Sequence, residues 1–149
     1  MYTKTFFEKL YAFNKKANNE MIYLIEENPN AYTERAQILI SHTLNAHHIW
    51  NYRLSDKEVL LGVWQKHAIE DLKQLNEENF TLSARLLDQL DYTTILSYTD
   101  SKGKAYQKEI GTILFHIVNH STYHREQLMS ELKLRGVIPV SLDYVFLEN

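Results

Sequence analysis

The chemistry available to this chain lies mainly in its seven histidines. Six fall in two short windows, His42, His47 and His48 in the first and His116, His120 and His124 in the second, with His67 between them. A neutral imidazole binds metal ions and can carry a proton near neutral pH. Residues four apart on a helix share a face, so His120 and His124 can aim both rings at one point and leave a third corner for an adjacent helix. A lone H-x-x-x-H is a weak motif, and its position is what adds weight here. Both residues interrupt an otherwise apolar stripe, where an uncompensated polar group costs about 1–3 kcal/mol. A metal ion is one compensation; hydrogen bonds to Tyr or Asn, or a solvent-filled pocket, are others. The chain has no cysteine. Disulfides, thiolate nucleophiles and Cys-ligated zinc are therefore excluded, and any metal site must be built from imidazole and oxygen.

The elements that must position these residues read mostly as helices. From Thr3 to Glu27, Phe6, Leu10, Phe13, Ala17, Met21, Leu24 and Ile25 recur at spacings of three and four, which predicts a long amphipathic helix ending at Asn28-Pro29-Asn30. A second helix should start near Ala31 to Thr33 and run to about Leu54. Ile38, Leu39, His42, Ala46, Ile49, Trp50 and Arg53 lie along or beside one stripe of it, so His42 sits where a buried face would carry an Ile. Ser55-Asp56-Lys57-Glu58 fits a capping box, but Gly62 and the mixed stretch to His67 favour a loop. Ile69 to Leu90 restores helical periodicity. Alternation over Ile95 to Thr99, the Asp100-Ser101-Lys102-Gly103 turn and Ala105-Tyr106-Gln107 predict a small β-hairpin. A fourth helix from Glu109 to Leu134 carries Ile113, Ile117, His120, His124 and Leu128 on or near one stripe, with Gly136 as its terminator. The tail, Val137 to Asn149, is expected to lie as an extended arm over the bundle, with Val140, Leu142, Val145 and Leu147 as its apolar contacts. Four long helices with short connections imply an all-α four-helix bundle.

Composition narrows the class. A length of 149 residues, a 44% hydrophobic share, four Gly and two Pro fit one domain spanning 1–149 with no linker. Lys4, Glu8 and Lys9 break up the apolar start, and no run of about 18 apolar residues occurs, so a cytoplasmic location is expected. The formal charge of -3, with both signs interspersed, offers no basic stripe for phosphates, so direct nucleic-acid binding is not expected.

The segment Ile113-Leu114-Phe115-His116-Ile117-Val118-Asn119-His120-Ser121-Thr122-Tyr123-His124-Arg125-Glu126-Gln127 closely resembles the last-helix signature of the DinB-like (DinB/YfiT-like) metalloenzyme family. The family's second landmark, a histidine several residues before a Trp on the second helix, is matched by His42 and Trp50. Trp64 to His67, Glu70-Asp71-Leu72, Asn76 to Asn79, Tyr98 before its turn, Gly136, Pro139 and Asp143-Tyr144 extend the resemblance over essentially the whole chain. One departure is Glu126, where many members have Gly.

The resemblance implies an up-down-down-up bundle, often a homodimer. It implies that His42, His120 and His124, rather than His47, His48 or His116, hold a divalent ion: Ni or Zn, with Mn and Fe as further candidates. Within it, His47, His48 and His67 read as surface or rim residues with proton transfer as their alternative role, and His116 as a packing residue beside the ligands. Trp50 and Trp64 read as core or loop anchors, and Asn119 and Tyr123 as packing or site-lining residues. Glu70, Asp71, Glu77 and Glu78 read as a solvated helix face. Characterised relatives use low-molecular-weight thiols such as bacillithiol or mycothiol, so the implied activity is metal-dependent thiol S-transfer to a small electrophile. Metal-assisted hydrolysis and a non-catalytic metal-binding or dimeric interaction module are the alternatives. No catalytic residue beyond the metal ligands is assigned.

Overall fold

The structure, a computed structural model, describes residues 1–147. Its order is α1 (Lys4–Glu27), a short 3-10 turn (Pro29–Ala31), α2 (Glu34–Leu54), α3 (Ile69–Gln89), β1 (Ile95–Thr99), β2 (Ala105–Glu109), α4 (Ile110–Leu134) and α5 (Tyr144–Leu147). Helix ends follow local chemistry. Thr3 and Thr33 accept hydrogen bonds from the backbone N–H groups of Phe6 and Ala36, capping α1 and α2. α4 stops because Gly136 takes φ +84°, which lets its N–H reach Lys133 O and that of Val137 reach Leu132 O. In the hairpin, Ile95 pairs with Glu109 and Thr99 with Ala105, across a turn in which Gly103 takes φ +82°.

Cross-helix contacts give the direction of each helix. Lys15 meets Glu77 and Asn18 meets Asn76, while Lys4 pairs with Asp88, so α3 runs against α1. Leu44 meets Asn79 and His47 meets Ser83, so α2 and α3 run together. Tyr11 meets Leu114 and Asn14 meets Arg125, so α4 runs with α1; Thr33 meets Glu131 and His42 meets His120, so α2 opposes α4. The result is an all-α up-down-down-up bundle with a hairpin before its last long helix, as the resemblance implies.

The core divides into two apolar clusters. One gathers Phe7, Tyr11, Phe13, Leu86, Ile113 and Leu114, and the other Met21, Ile25, Ile40, Leu72, Leu128 and Leu132. Between them runs a buried polar layer of Asn14, Asn18, His47, Asn51, Asn76, Asn79, Ser83 and Arg125. Arg125 donates from Nη1 to Asn14 Oδ1 (2.6 Å) and Asn18 Oδ1 (2.9 Å), and from Nη2 to Thr122 Oγ1 (2.9 Å). Asn18 Nδ2 continues the chain to Asn76 Oδ1 at 3.0 Å. A buried amide or guanidinium survives only with such partners, so the layer fixes the rotation of α1, α3 and α4 about their axes.

Several expectations need correction. Phe7, not Phe6, enters the core, and Phe6 is exposed. His47 and His48 are buried rather than on the surface, because α2 is packed by α3, α4 and the connection to α3. The tail is not an extended arm throughout: α5 forms a single helical turn that lays Tyr144 edge-on against Phe13 at 5.1 Å. Leu142 packs on the second cluster, whereas Val140 and Val145 are exposed. The Leu147 side chain, Glu148 and Asn149 lie outside the described residues.

His47 makes stability depend on pH. Ser83 gives its single hydroxyl proton to Asn51 Oδ1 (2.9 Å), so it accepts from His47 Nε2–H (2.7 Å), which leaves Nδ1 buried and unpartnered. Burial pushes the His47 pKa down to about 3, with His48 adding a smaller push. Above about pH 6.5 both folded and unfolded chains carry a neutral ring and this stability is fully present. Below it the unfolded chain takes a proton the folded chain refuses, so stability falls by about 1.4 kcal/mol per pH unit toward pH 3. Urea unfolding between pH 7 and 4 should show a slope smaller by about one proton in His47→Gln than in the wild type. Equal slopes would show that His47 is not the titrating group.

Candidate metal centre

α2 and α4 bring His42, His120 and His124 together. One ligand atom from each lies within 4.8 Å of the other two, and no other such cluster of His, Asp or Glu occurs among the described residues. The ring centroids are 4.5–4.9 Å apart and the planes meet at 66–85°, so the rings converge edge-on instead of stacking. His42 Nε2 and His120 Nε2 are 3.2 Å apart. Two nitrogens bound at 2.0–2.1 Å to a tetrahedral ion would lie about 3.3 Å apart, so this pair already has ligand spacing.

The far sides of the rings fix their tautomers. His42 Nδ1 faces the carbonyl of Val63 at 3.2 Å, which can only accept, so Nδ1 carries the proton and Nε2 the lone pair. His124 Nδ1 faces Gln127 Oε1 at 2.7 Å and is held in the same way. Acceptors behind metal-binding imidazoles do this in known metal sites. Burial lowers the pKa of His42, and it pushes that of His120 down to about 3 with help from the neighbouring imidazoles. Both rings are therefore neutral at physiological pH, the form in which they can bind metal. The residues present fit a divalent ion.

The connection between α2 and α3 supports this arrangement. Asn45 donates to Gln65 O (2.7 Å) and accepts from His67 Nε2 (2.6 Å), Ser41 accepts from His67 N–H (3.0 Å), and His48 Nε2 accepts from Leu60 N–H (3.2 Å). Anchored at these points, the loop delivers Val63 O to His42 and stacks Trp64 on the same ring, centroids 4.1 Å apart at 12°. Trp64 is anchored on one face and 64% exposed overall.

The other expected site residues fall as follows. His116 lies 5.6 Å from His120, centroid to centroid, and Trp50 the same distance from His116. His67 is half-buried at the loop. Tyr123 is exposed, with its ring 5.0 Å from His124. Asn119, Tyr123, Glu126 and Gln127 line an open depression of about 460 Å³ on α4, so Glu126 faces solvent beside the site. A second cleft, of about 440 Å³ and lined by His48, Tyr52 and Arg85 among others, does not include the triad. Glu70, Asp71, Glu77 and Glu78 are exposed, as a solvated face requires. Val63, Asn45 and Gln127 escaped the sequence reading. Only Gln127 carried a signal, its i+3 spacing from His124.

Among the described residues no helix is long and apolar enough to cross a membrane. The DinB family profile matches residues 1–149. A relative, Protein DinB of Bacillus subtilis (strain 168), is 26% identical over 156 aligned residues, covering 91% of this chain and 90% of its own length. No solved structure gives a significant match. A histidine triad able to hold a metal ion, carried on an up-down-down-up bundle, agrees with the profile match over the full length: the chain belongs to the DinB family.

Proposed function

We propose that this protein is a divalent-metal-dependent transferase that joins a low-molecular-weight thiol to a small electrophile. The observation that carries the reading is the convergence of three imidazoles at the half-exposed edge between α2 and α4, two of them oriented from behind by Val63 and Gln127. His42, His120 and His124 would hold the ion, Ni or Zn with Mn or Fe as further candidates. A bound ion would supply Lewis acidity, lowering the pKa of a thiol. In the reaction the thiol loses its proton to solvent, its sulfur forms a C–S bond, and the C–X bond of the electrophile breaks with X leaving as the anion. The protein's part is to hold the His42 and His120 rings neutral, to aim the rings, and to keep Trp64 and Tyr123 at the rim. A homodimer in the cytoplasm belongs to the same reading.

The test is metal analysis of protein purified without chelator, followed by thiol transfer to 1-chloro-2,4-dinitrobenzene with Zn- or Ni-loaded protein. Conjugation should require metal, stop on chelation and return on reloading. Activity that survives complete metal removal would overturn the mechanism, and turnover of ester or amide substrates without any thiol would replace it with hydrolysis.

A further inference from the structure

The chain reaches Val63, whose carbonyl stands behind His42, through residues 55–62, which form neither helix nor strand. The last turn of α2 holds the start of this stretch, with Ser55 and Lys57 N–H reaching Tyr52 O at 3.2 and 3.0 Å. From Lys57 to Gly62, among the described residues, a single hydrogen bond then ties the stretch to a helix: Leu60 N–H donates to His48 Nε2 at 3.2 Å. Gly62 N–H turns back into the connection, to Gln65 Oε1 at 3.1 Å. Asn45 holds the far side, donating to Gln65 O at 2.7 Å, and it reaches Val63 O only at 3.4 Å, beyond ordinary hydrogen-bond length. His48 therefore secures the near side of Val63.

This bond also sets the chemistry of His48. A backbone N–H can only donate, so Nε2 holds the lone pair and the neutral ring carries its proton on Nδ1. A second proton can land only on Nε2, where it would face the Leu60 N–H, so the ring is charged only once that bond is broken. The ring lines a cleft of about 440 Å³ that gives a proton its route in, and Tyr52 packs against it with centroids 4.0 Å apart. The charged groups around the cleft are Glu77, Glu78 and Arg85 from α3 and Lys57 from the connection, with His47 beside His48 on α2. Glu77 is engaged by Lys15 at 2.9 Å. Burial lowers the pKa of His48, and Glu78 opposes it with a smaller push.

We infer that His48 is a positioning residue for the triad: uncharged, it ties Leu60 and keeps Val63 O behind His42, and on protonation it lets the connection go. The inference rests on the proposed metal centre and gives it a regulation, since acid would unfasten the support of one ligand from a residue that touches none of the three. The sign follows from the bond. The tied ring refuses a proton that the released ring accepts, so the tie is whole above the ordinary histidine range and weakens as pH falls through it.

The test uses the full-length, metal-free protein and reads the Leu60 amide by hydrogen exchange, corrected for the intrinsic effect of pH. With a released ring of ordinary pKa, about 6.5, the open fraction should grow about tenfold from pH 7.5 to 5.5, and Leu60 protection should fall by the same factor. His48→Gln, whose side chain can accept but not ionise, should show no such fall. His48→Phe keeps a ring against Tyr52 but offers no acceptor, and should leave Leu60 unprotected at both pH values. In that variant at pH 7.5 the ring nitrogen shifts of His42 should move away from the Nδ1–H tautomer. Its zinc affinity should drop about tenfold, the low end of the cost of losing an acceptor behind a ligand. A His48 that only packs would leave Leu60 protection flat with pH. That flat result, an equal fall in His48→Gln, or an unmoved His42 tautomer or zinc affinity in His48→Phe overturns the inference. Exchange and tautomer need no metal, so a chain that binds no zinc refutes the proposed function while the His48 comparison still decides.

Discussion

His120→Ala is expected to lower metal content from about one ion per chain to roughly a tenth or less, and affinity by at least about 100-fold. The magnitude follows from comparison with a milder lesion. Removing the acceptor behind a ligating imidazole costs about 10- to 100-fold in metal affinity, because ring orientation and basicity are lost while the donor remains. Gln127→Leu is that lesion, taking away the partner of His124 Nδ1–H. Deleting His120 takes away a donor that stands 3.2 Å from His42 Nε2, and the remaining two rings cannot close three sides around an ion. His120 is half-buried at the open edge of the bundle, so its loss should leave the fold intact. Competition against a chromophoric chelator gives both affinities, with circular dichroism as the control. His120→Ala binding as tightly as wild type, or Gln127→Leu binding more weakly than His120→Ala, would sink the assignment.

How far the sequence revealed this site depends on the range of each interaction. His120 and His124 were visible as a pair because helix geometry alone places i and i+4 together. The helices and the hairpin were visible because their periods are local. His42 could be joined to the pair only through the family resemblance, since 78 residues separate it from His120 and nothing local says that α2 will oppose α4. Val63 and Trp64 lie in a connection with no period, where the hydrogen bonds of Ser41, Asn45 and His48 decide the path. Under the resemblance His47 and His48 read as surface or rim residues, because nothing along α2 alone says which of its edges the other elements cover. Position 47 instead faces Ser83 and position 48 faces the backbone of Leu60, and both are inside. The Phe6 and Phe7 exchange has the same origin, since a stripe read from one helix does not say which edge its neighbours cover.

The polar layer explains why the triad can sit where it does. On α4, Val118 belongs to one apolar cluster and Leu128 to the other, and the intervening turns carry His120 and His124 outward toward α2 and Arg125 inward toward α1, with Ser121 also buried. A helix holding histidines at its open edge needs its inner face fixed in rotation, or the rings would not stay in register with His42. Apolar packing tolerates small rotations better than a forked set of short hydrogen bonds, and Arg125 supplies such a set.

Arg125→Met is therefore expected to destabilise the protein by about 3–5 kcal/mol, a large part of the roughly 5–15 kcal/mol that holds a domain of this size. Arg125 is 3% exposed and, among the described residues, no carboxylate lies in hydrogen-bonding reach of its charge, so burial pushes its pKa down to about 10, still protonated at neutral pH. The cost of the variant comes from what it leaves behind. Asn14 Oδ1 and Asn18 Oδ1 lose their donor inside the core, and each stranded acceptor costs about 1–3 kcal/mol. Arg125→Lys keeps the charge but cannot reproduce the fork, and should fall between Met and wild type. If stranded acceptors are the cause, replacing the set together, Asn14→Leu with Asn18→Leu and Arg125→Met, should recover much of the loss, because an apolar set strands fewer groups. Asn76 Oδ1 then loses only the amide of Asn18. Urea unfolding of the four proteins decides the cause, and metal affinity reads the consequence at His124. Arg125→Met as stable as wild type would remove the layer's structural role, and a triple variant no better than Arg125→Met would place the cost in the lost charge itself.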